Sequence, residues 1–499
     1  MDRVCSCLTS STFRFSINTT YHRSRGNILS YLLNNITIPA IADSPLLESR
    51  QPNSRFPTMI FSHGLGGTRL AYSHFCCSIA SHGVIVFAPE HRDGSGPVSV
   101  VRIGKESEGK AYITELVPYI NIPHVLTQKM SEGRDTQLSI RLTELCLLYK
   151  ALQSLQAGVV PKDTISSPSG QNIDGRCNEF NMFKGRLDIE SPGRVIWAGH
   201  SFGAATMVQF IKTVYYMNTE EWKKQTSLLT LDEHQIGDLR RQITKNSPLL
   251  LLDLWSLSLL GSRRTYWLWK KPLPQVLPLG EEEEGGKPDE YDGSSSRILT
   301  IMSEQFYIWK ENLWAVKWLL SRDPGRRDGG VKEILDYDPI TGKNSPPPSE
   351  PSGDTTPYPD GFGGYRPPKL YYAKSSAHLT QSDFNLLLPF MFRNRVSDVR
   401  KVFGFNIRAT VQWLREIGFQ PDLQQYHDSV ESGVGDAQIF GNSEIEGEPD
   451  GEEKSGAGTK LKGWVQLGLH EKPIEKKDLE SAVTESMGAN VEGDLEVKT

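Results

Sequence analysis

The sequence predicts an α/β protein with a mostly parallel central sheet covered by helices on both faces. Three observations carry this. Short runs that are almost wholly apolar alternate with segments of helical periodicity, the pattern of strands buried on both sides. A Gly-x-Ser-x-Gly pentapeptide, Gly199-His200-Ser201-Phe202-Gly203, sits between one such run and the start of a helix. Long polar stretches rich in Gly, Pro, Ser and Glu interrupt the alternation without resetting it, and so read as inserts.

The elements follow in order. Thr58–Ser62 is the first strong strand and ends at His63-Gly64-Leu65-Gly66-Gly67. A helix is expected over about 72–81, closed by Gly83, and Val84–Ala88 is a second buried strand. Leu138, Leu142, Leu145, Leu148, Leu152 and Leu155 recur at helical spacing and mark a core-facing helix. Arg194–Ala198 is the strand before the pentapeptide, and 204–210 opens the helix after it. Leu249–Leu252 and Ile298–Met302 are further buried strands. Phe306, Trp309, Leu313, Val316 and Leu320 form a helical strip, Leu370–Ala373 is the last clear strand, and Val399 to Leu414 is a closing helix. Crossovers between the parallel strands should be right-handed.

This gives an N-terminal extension over 1–54 and one large domain over 55–420, with inserts near 158–193, 279–296 and 322–368. An acidic tail follows over 429–499. The second insert holds Glu281–Glu284, the third holds Pro346–Pro348, and with so little to bury the inserts and the tail are expected to be disordered.

Composition narrows the function classes. The chain has 499 residues, a net charge of −5 at pH 7 and 37% hydrophobic residues, so the basic footprint of a nucleic-acid binder is missing. Six cysteines are too few and scattered for a disulfide scaffold, and no Cys/His spacing matches a zinc site, so neither metal nor cofactor is expected. The start has no signal-peptide core and no stretch reaches the ~18 apolar residues of a membrane span. The expected location is cytoplasmic, with peripheral membrane contact left open.

The pentapeptide carries the chemistry. A serine on a sharp strand-to-helix turn projects its hydroxyl from the top of the sheet, and glycines two residues either side let the backbones approach. Ser201 is thus the candidate nucleophile, with Gly199 and Gly203 as the elbow glycines. A serine hydroxyl needs a base, an orienting acid and oxyanion donors. In elbow enzymes the chain order is Ser, then Asp or Glu, then His. His378, after the last strand, is the candidate base; His427 and His470 fall in or next to the tail. Asp253 closes an apolar strand, where a carboxylate is costly unless paired, and is the candidate acid. Glu304, after the next strand, is the alternative acid. The oxyanion donors are the backbone N–H groups of Phe202, after the nucleophile, and Leu65, in the loop after the first strand. The whole reads as an α/β-hydrolase fold.

Several separated motifs together resemble the platelet-activating-factor acetylhydrolase family, the calcium-independent phospholipases A2 related to the lipoprotein-associated enzyme. They are Phe61 to Gly67, Ser81 to Val86, Glu90-His91-Arg92-Asp93 and Gly199 to Thr206. The segment from Leu252 to Trp255 is similar to that family's acid segment, and Ala377-His378 with Gln381 to Phe384 to its histidine segment. The resemblance spans roughly 55–420. It implies hydrolysis of the sn-2 acetyl or short acyl ester of phospholipids, with Ser201, Asp253 and His378 as triad and Leu65 and Phe202 as oxyanion hole. It favours Asp253 over Glu304. The segment before Arg55 does not look like the family's usual opening.

A cluster of aromatic, aliphatic and basic residues over Trp255–Lys271 suits the headgroup zone of a bilayer and is the candidate for transient membrane contact. Its rival is a buried flap over the site. Two other functions stay open: a carboxylesterase of soluble esters or polyesters on the same fold, and a non-catalytic scaffold that binds lipid or protein.

Overall fold

The computed structural model describes residues 45–46, 55–103, 113–124, 127–159, 180–231, 236–260, 263–277, 295–322, 324, 366–387, 399–419, 439–440, 444–445 and 463–468. Its centre is a nine-stranded sheet. The parallel body consists of β1 (Phe56–Ser62), β2 (Ile85–Phe87), β6 (Val195–His200), β7 (Leu249–Leu252), β8 (Ile298–Ser303) and β9 (Lys369–Ala373). They lie in the order β9-β8-β7-β6-β1-β2, every neighbouring pair parallel. These strands are mostly apolar and largely buried because both faces are covered. One face packs against α2 (Gln128–Gln156) and α3 (Phe202–Tyr216), the other against α1 (Ser73–Ser81) and α7 (Val399–Glu416). The expected α/β architecture is therefore present, with its strands in the expected places.

Between these lie α4 (Arg263–Trp269), α5 (Glu304–Ile308) and α6 (Lys310–Leu319). α5 and α6 divide the helix expected from Phe306 to Leu320. The helix expected from Leu138 starts ten residues earlier, where Thr127 caps it by accepting the Met130 N–H at 3.2 Å. An antiparallel hairpin, β3 (Val98–Ile103) with β4 (Ile113–Pro118), stands outside the main sheet.

Two expectations need correction. The segment 158–193 is not wholly an insert: β5 (Leu187–Asp188) pairs with the start of β1, and Leu187 and Ile189 are buried in the core. The remainder of the three inserts falls largely outside the described residues. The tail is not wholly outside the fold either. β11 (Trp464–Gln466) adds antiparallel to β9, and β10 (Glu444–Ile445) adds to β11. An uncovered β9 edge would leave a row of backbone donors and acceptors unpaired. Trp464, fully buried and stacked on Tyr371 with centroids 5.3 Å apart, anchors the cover. Other residues of 429–499 lie outside the described set.

The segment Trp255–Lys271 packs largely against the core. Trp255, Leu257, Leu259, Leu260, Tyr266, Leu268 and Trp269 are buried. The backbone carbonyl of Trp269 accepts a hydrogen bond from the buried Lys212 Nζ at 3.2 Å, which fastens α4 to α3. Trp267, Arg264, Lys270 and Lys271 are half-buried, so the segment packs most of its apolar side chains inward and keeps one aromatic ring and three basic groups toward the outside. Large apolar side chains are also exposed on the hairpin, at Val98, Val100 and Leu116.

Candidate active site

The sheet delivers the site residues to one end. β6 ends at His200, and Ser201 turns the chain into α3 with φ 56° and ψ −118°, a conformation that strains any residue but glycine. The turn is possible because its neighbours lack side chains. A Cβ on Gly203 would meet the Ser62 carbonyl oxygen at 2.0 Å, and one on Gly199 would meet Gly203 backbone atoms at 2.5 Å. Ser201 does not use its hydroxyl to cap the helix it precedes, so the Oγ is available to the site. Among the described residues, the only other non-glycine positive φ values are at Asp253 (43°) and Ser375 (55°). All three strained positions therefore lie in the segments that carry Ser201, Asp253 and His378.

The three side chains meet. His378 Nδ1 lies 2.8 Å from Asp253 Oδ2, and His378 Nε2 lies 3.0 Å from Ser201 Oγ. A carboxylate oxygen only accepts, so the Nδ1 carries the proton and the Nε2 lone pair receives the serine hydroxyl. Asp253 is fully buried, and that burial pushes its carboxyl above the usual range. Opposing this are its hydrogen bonds: His378 on Oδ2, Ser303 N–H on Oδ1 at 2.5 Å, and Ser303 Oγ–H on Oδ2 at 2.7 Å. The imidazole is held between rings, with Phe306 stacked at 4.2 Å and His200 at 4.5 Å. Gln305 accepts its backbone N–H at 2.9 Å.

Glu304 is not brought to His378. Its carboxylate accepts the Ser375 N–H at 2.8 Å at the opening of α5. His63 and His200 are packing and hydrogen-bonding residues. His63 Nδ1 donates to the Gly64 carbonyl at 2.9 Å and its Nε2 accepts the His91 N–H at 3.1 Å, which leaves no lone pair for substrate. Burial holds both rings well below the usual histidine range. His200 Nδ1 is 2.8 Å from Tyr72 Oη, which also accepts the Gly64 N–H at 3.1 Å.

The loop expected to donate to an oxyanion lies against the elbow: a Cβ on Gly64 would meet Ser201 Cβ at 3.1 Å. Leu65 is the next residue. Phe202 opens α3, where backbone N–H groups have no partner within the helix. The loop is pinned beyond Leu65 by Gly66 N–H donating to the Ser95 carbonyl at 2.7 Å.

His200, Asp253 and His378 also place ligand-type atoms within 4.8 Å of one another. Two of the three are already joined by the Asp253–His378 bond, and His200 is the stacked neighbour.

Sequence reasoning missed Ser303, Tyr72 and Gln305, which hold the site together through tertiary contacts that no local pattern marks. It also missed Arg141, whose only signal is a charge on an otherwise core-facing helical strip.

With this geometry in hand, the comparisons become informative. Residues 15–232 match the family model of platelet-activating factor acetylhydrolase, isoform II. This chain is similar to the platelet-activating factor acetylhydrolases. The match begins well before the domain boundary read at 55, so the likeness reaches into the N-terminal extension. A putative phospholipase A2 from Schizosaccharomyces pombe is 26% identical over 379 residues, 73% of this chain and 68% of the relative. A platelet-activating factor acetylhydrolase from Canis lupus familiaris is 31% identical over 191 residues, and the aligned part spans 37% of each chain. A solved ferulic acid esterase from Streptomyces cinnamoneus aligns over 75% of this chain and 72% of its own, at 11% identity and a TM-score of 0.31.

Proposed function

We propose that this chain is a serine hydrolase that cleaves the sn-2 acetyl or short acyl ester of phospholipids. The observation that carries the reading is the Ser201–His378–Asp253 relay, closed at 3.0 and 2.8 Å on a strained elbow. The likeness to phospholipid ester hydrolases supports the substrate class.

In this mechanism Ser201 Oγ attacks the ester carbonyl carbon while its proton passes to His378 Nε2. Asp253, its carboxylate already held by Ser303, keeps the imidazole in the required tautomer and stabilises the imidazolium that forms. The oxyanion is received by the N–H groups of Leu65 and Phe202, and the positive end of α3 points at it. Collapse of the tetrahedral adduct breaks the bond to the glycerol oxygen, which takes the proton from His378 and leaves as the lysophospholipid alcohol. Water then attacks the acyl-serine, gives its proton to His378, and the second collapse releases the carboxylic acid and restores Ser201. No redox partner or cofactor enters this balance.

Among the described residues no helix is long and apolar enough to cross a membrane. The proposal keeps the cytoplasmic location expected from the sequence; recovery of the chain in the culture medium on fractionation would contradict it.

The test is an sn-2 acyl-length series presented to wild type and Ser201→Ala side by side. Turnover should be highest for acetyl and short chains and absent in the variant. Equal turnover by folded Ser201→Ala would overturn the nucleophile. Hydrolysis of soluble esters with none of acetyl-phospholipid would move the reading to a general carboxylesterase. A chain that neither turns over nor takes a fluorophosphonate would be a scaffold.

A further inference from the structure

We propose that Arg141 positions the oxyanion hole, holding the Leu65 loop and the Phe202 end of α3 in register. This rests on the hydrolase reading above.

A buried guanidinium is costly unless its charge is paired and its N–H groups are used. Arg141, on α2, is fully buried and meets both conditions. Its Nε donates to Asp93 Oδ2 at 2.6 Å. Its Nη2 donates to Ser95 Oγ at 2.5 Å. Its Nη1 donates to the His63 carbonyl at 2.8 Å, with Ser62 Oγ and Thr206 Oγ1 at 3.3 Å.

The identity of these partners makes the case. His63 starts the loop that carries Leu65, and Ser95 accepts the N–H of Gly66, the residue just after Leu65. Arg141 therefore grips the loop on one side directly and on the other through Ser95. Thr206 lies one turn into α3, where its hydroxyl donates to the Phe202 carbonyl at 2.8 Å. The Arg141 guanidinium carbon also sits 4.7 Å over the centroid of the Phe202 ring. One side chain thus touches both segments that supply an oxyanion donor.

Such a tie is needed because Leu65 and Phe202 come from distant parts of the chain. Their N–H groups must converge on one oxygen to within about 0.5 Å to be effective. The β1–β6 pairing aligns Ser62 with Gly199 but stops there, and the loop beyond has to be held by side chains. The planar fork of arginine spans several acceptors in fixed geometry, which the ammonium of lysine does not. A second buried arginine, Arg134, two turns earlier on α2, lies 5.5 Å from the same Phe202 ring and adds positive charge behind the hole.

The test compares wild type, Arg141→Lys and Ser95→Ala in the full chain. The readouts are kcat and KM on an acetyl ester, affinity for a trifluoromethyl ketone that forms a tetrahedral adduct with Ser201, and the thermal midpoint. Misplacing one donor costs about 10²–10³ in kcat. Arg141→Lys should lose kcat at the lower end of that range with KM unchanged, and Ser95→Ala about tenfold. Ketone affinity should fall in parallel with kcat, because the adduct uses the same hole. A purely structural role would lower the midpoint and leave the kcat of the folded fraction and the ketone affinity intact; that result in a folded Arg141→Lys overturns the proposal. If Arg141→Lys does not fold, unchanged kcat and ketone affinity in Ser95→Ala overturn it instead. Absence of any Ser201-dependent hydrolysis in wild type would remove the hydrolase reading and this assignment together, whereas Ser201-dependent hydrolysis at wild-type kcat in folded Arg141→Lys removes only the assignment.

Discussion

Ser303 donates twice to Asp253, through its backbone N–H to Oδ1 and its hydroxyl to Oδ2. The same hydroxyl accepts the Phe306 N–H at 3.3 Å and so caps α5, the helix whose Phe306 ring stacks on His378. One serine therefore fixes both Asp253 and the ring that stacks on His378. Ser303→Ala should keep the backbone bond and lose the other two. A hydrogen bond to a charged group contributes roughly 1.5–3 kcal/mol and a cap about 1. We expect a stability loss of about 2.5–4 kcal/mol by denaturant titration, and a kcat reduced about tenfold in the folded protein.

The acid can be assigned by a pair of substitutions. Asp253→Asn leaves the shape and removes the charge that selects the imidazole tautomer, a change that costs about 10⁴ in kcat in triad enzymes. Glu304→Gln keeps an acceptor for the Ser375 N–H and should stay within a few-fold of wild type. Reversal of that order in kcat would transfer the acid role to Glu304.

Much of this was legible in the sequence, for physical reasons that can be named. A sheet covered on both faces writes its strands as unbroken apolar runs, and the elbow writes itself as glycines flanking Ser201. Asp253 was visible because a carboxylate at the end of Leu249–Leu252 demands a partner. The edge of the sheet was not legible: β11 is three residues long, and Trp464 sits in a stretch whose composition reads as tail. Trp255–Lys271 was ambiguous because aromatic and basic residues suit a buried flap as well as a bilayer surface; most of its apolar side chains are buried, while Trp267, Lys270 and Lys271 are half-buried. Arg141 and Ser303 act across long sequence distances and leave no periodic trace.

The elbow glycines should tolerate nothing larger. The Ser62 carbonyl that a Cβ on Gly203 would strike is backbone of a central strand and has no rotamer to escape into. Overpacking costs typically 1–3 kcal/mol where side chains absorb it, and more here. Gly203→Ala should lower soluble yield and the thermal midpoint sharply. A variant with wild-type midpoint would show that β1 and α3 slide past each other more freely than the geometry implies.

Activity should survive a divalent-metal chelator. Ser201, His378 and two backbone N–H groups supply nucleophile, proton transfer and charge stabilisation in the proposed steps, and the His200–Asp253–His378 cluster among the described residues already uses its Asp253 and His378 on each other. Incubation with EDTA followed by assay on acetyl-phospholipid should return full turnover. Loss of turnover, restored by added calcium, would overturn the proposed mechanism.

Glu144 gives the fold a readable pH dependence. It accepts the Arg92 N–H at 2.9 Å and faces His91 Nδ1 at 2.8 Å. Burial pushes its carboxyl up to about 7 from an ordinary value of 4.5. Between those two values the native state holds more of this proton than the unfolded state, so the contribution of Glu144 is fully present below pH 4.5 and is lost as pH rises to about 7. The span corresponds to about 3 kcal/mol. Glu144→Gln cannot titrate and should lack this slope. Measured by urea unfolding, the stability of wild type relative to Glu144→Gln should fall steadily from pH 4.5 to 7 and be flat above. A difference that rises with pH over that window would mean that the His91 contact and the Arg92 N–H hold Glu144 ionised in the native state.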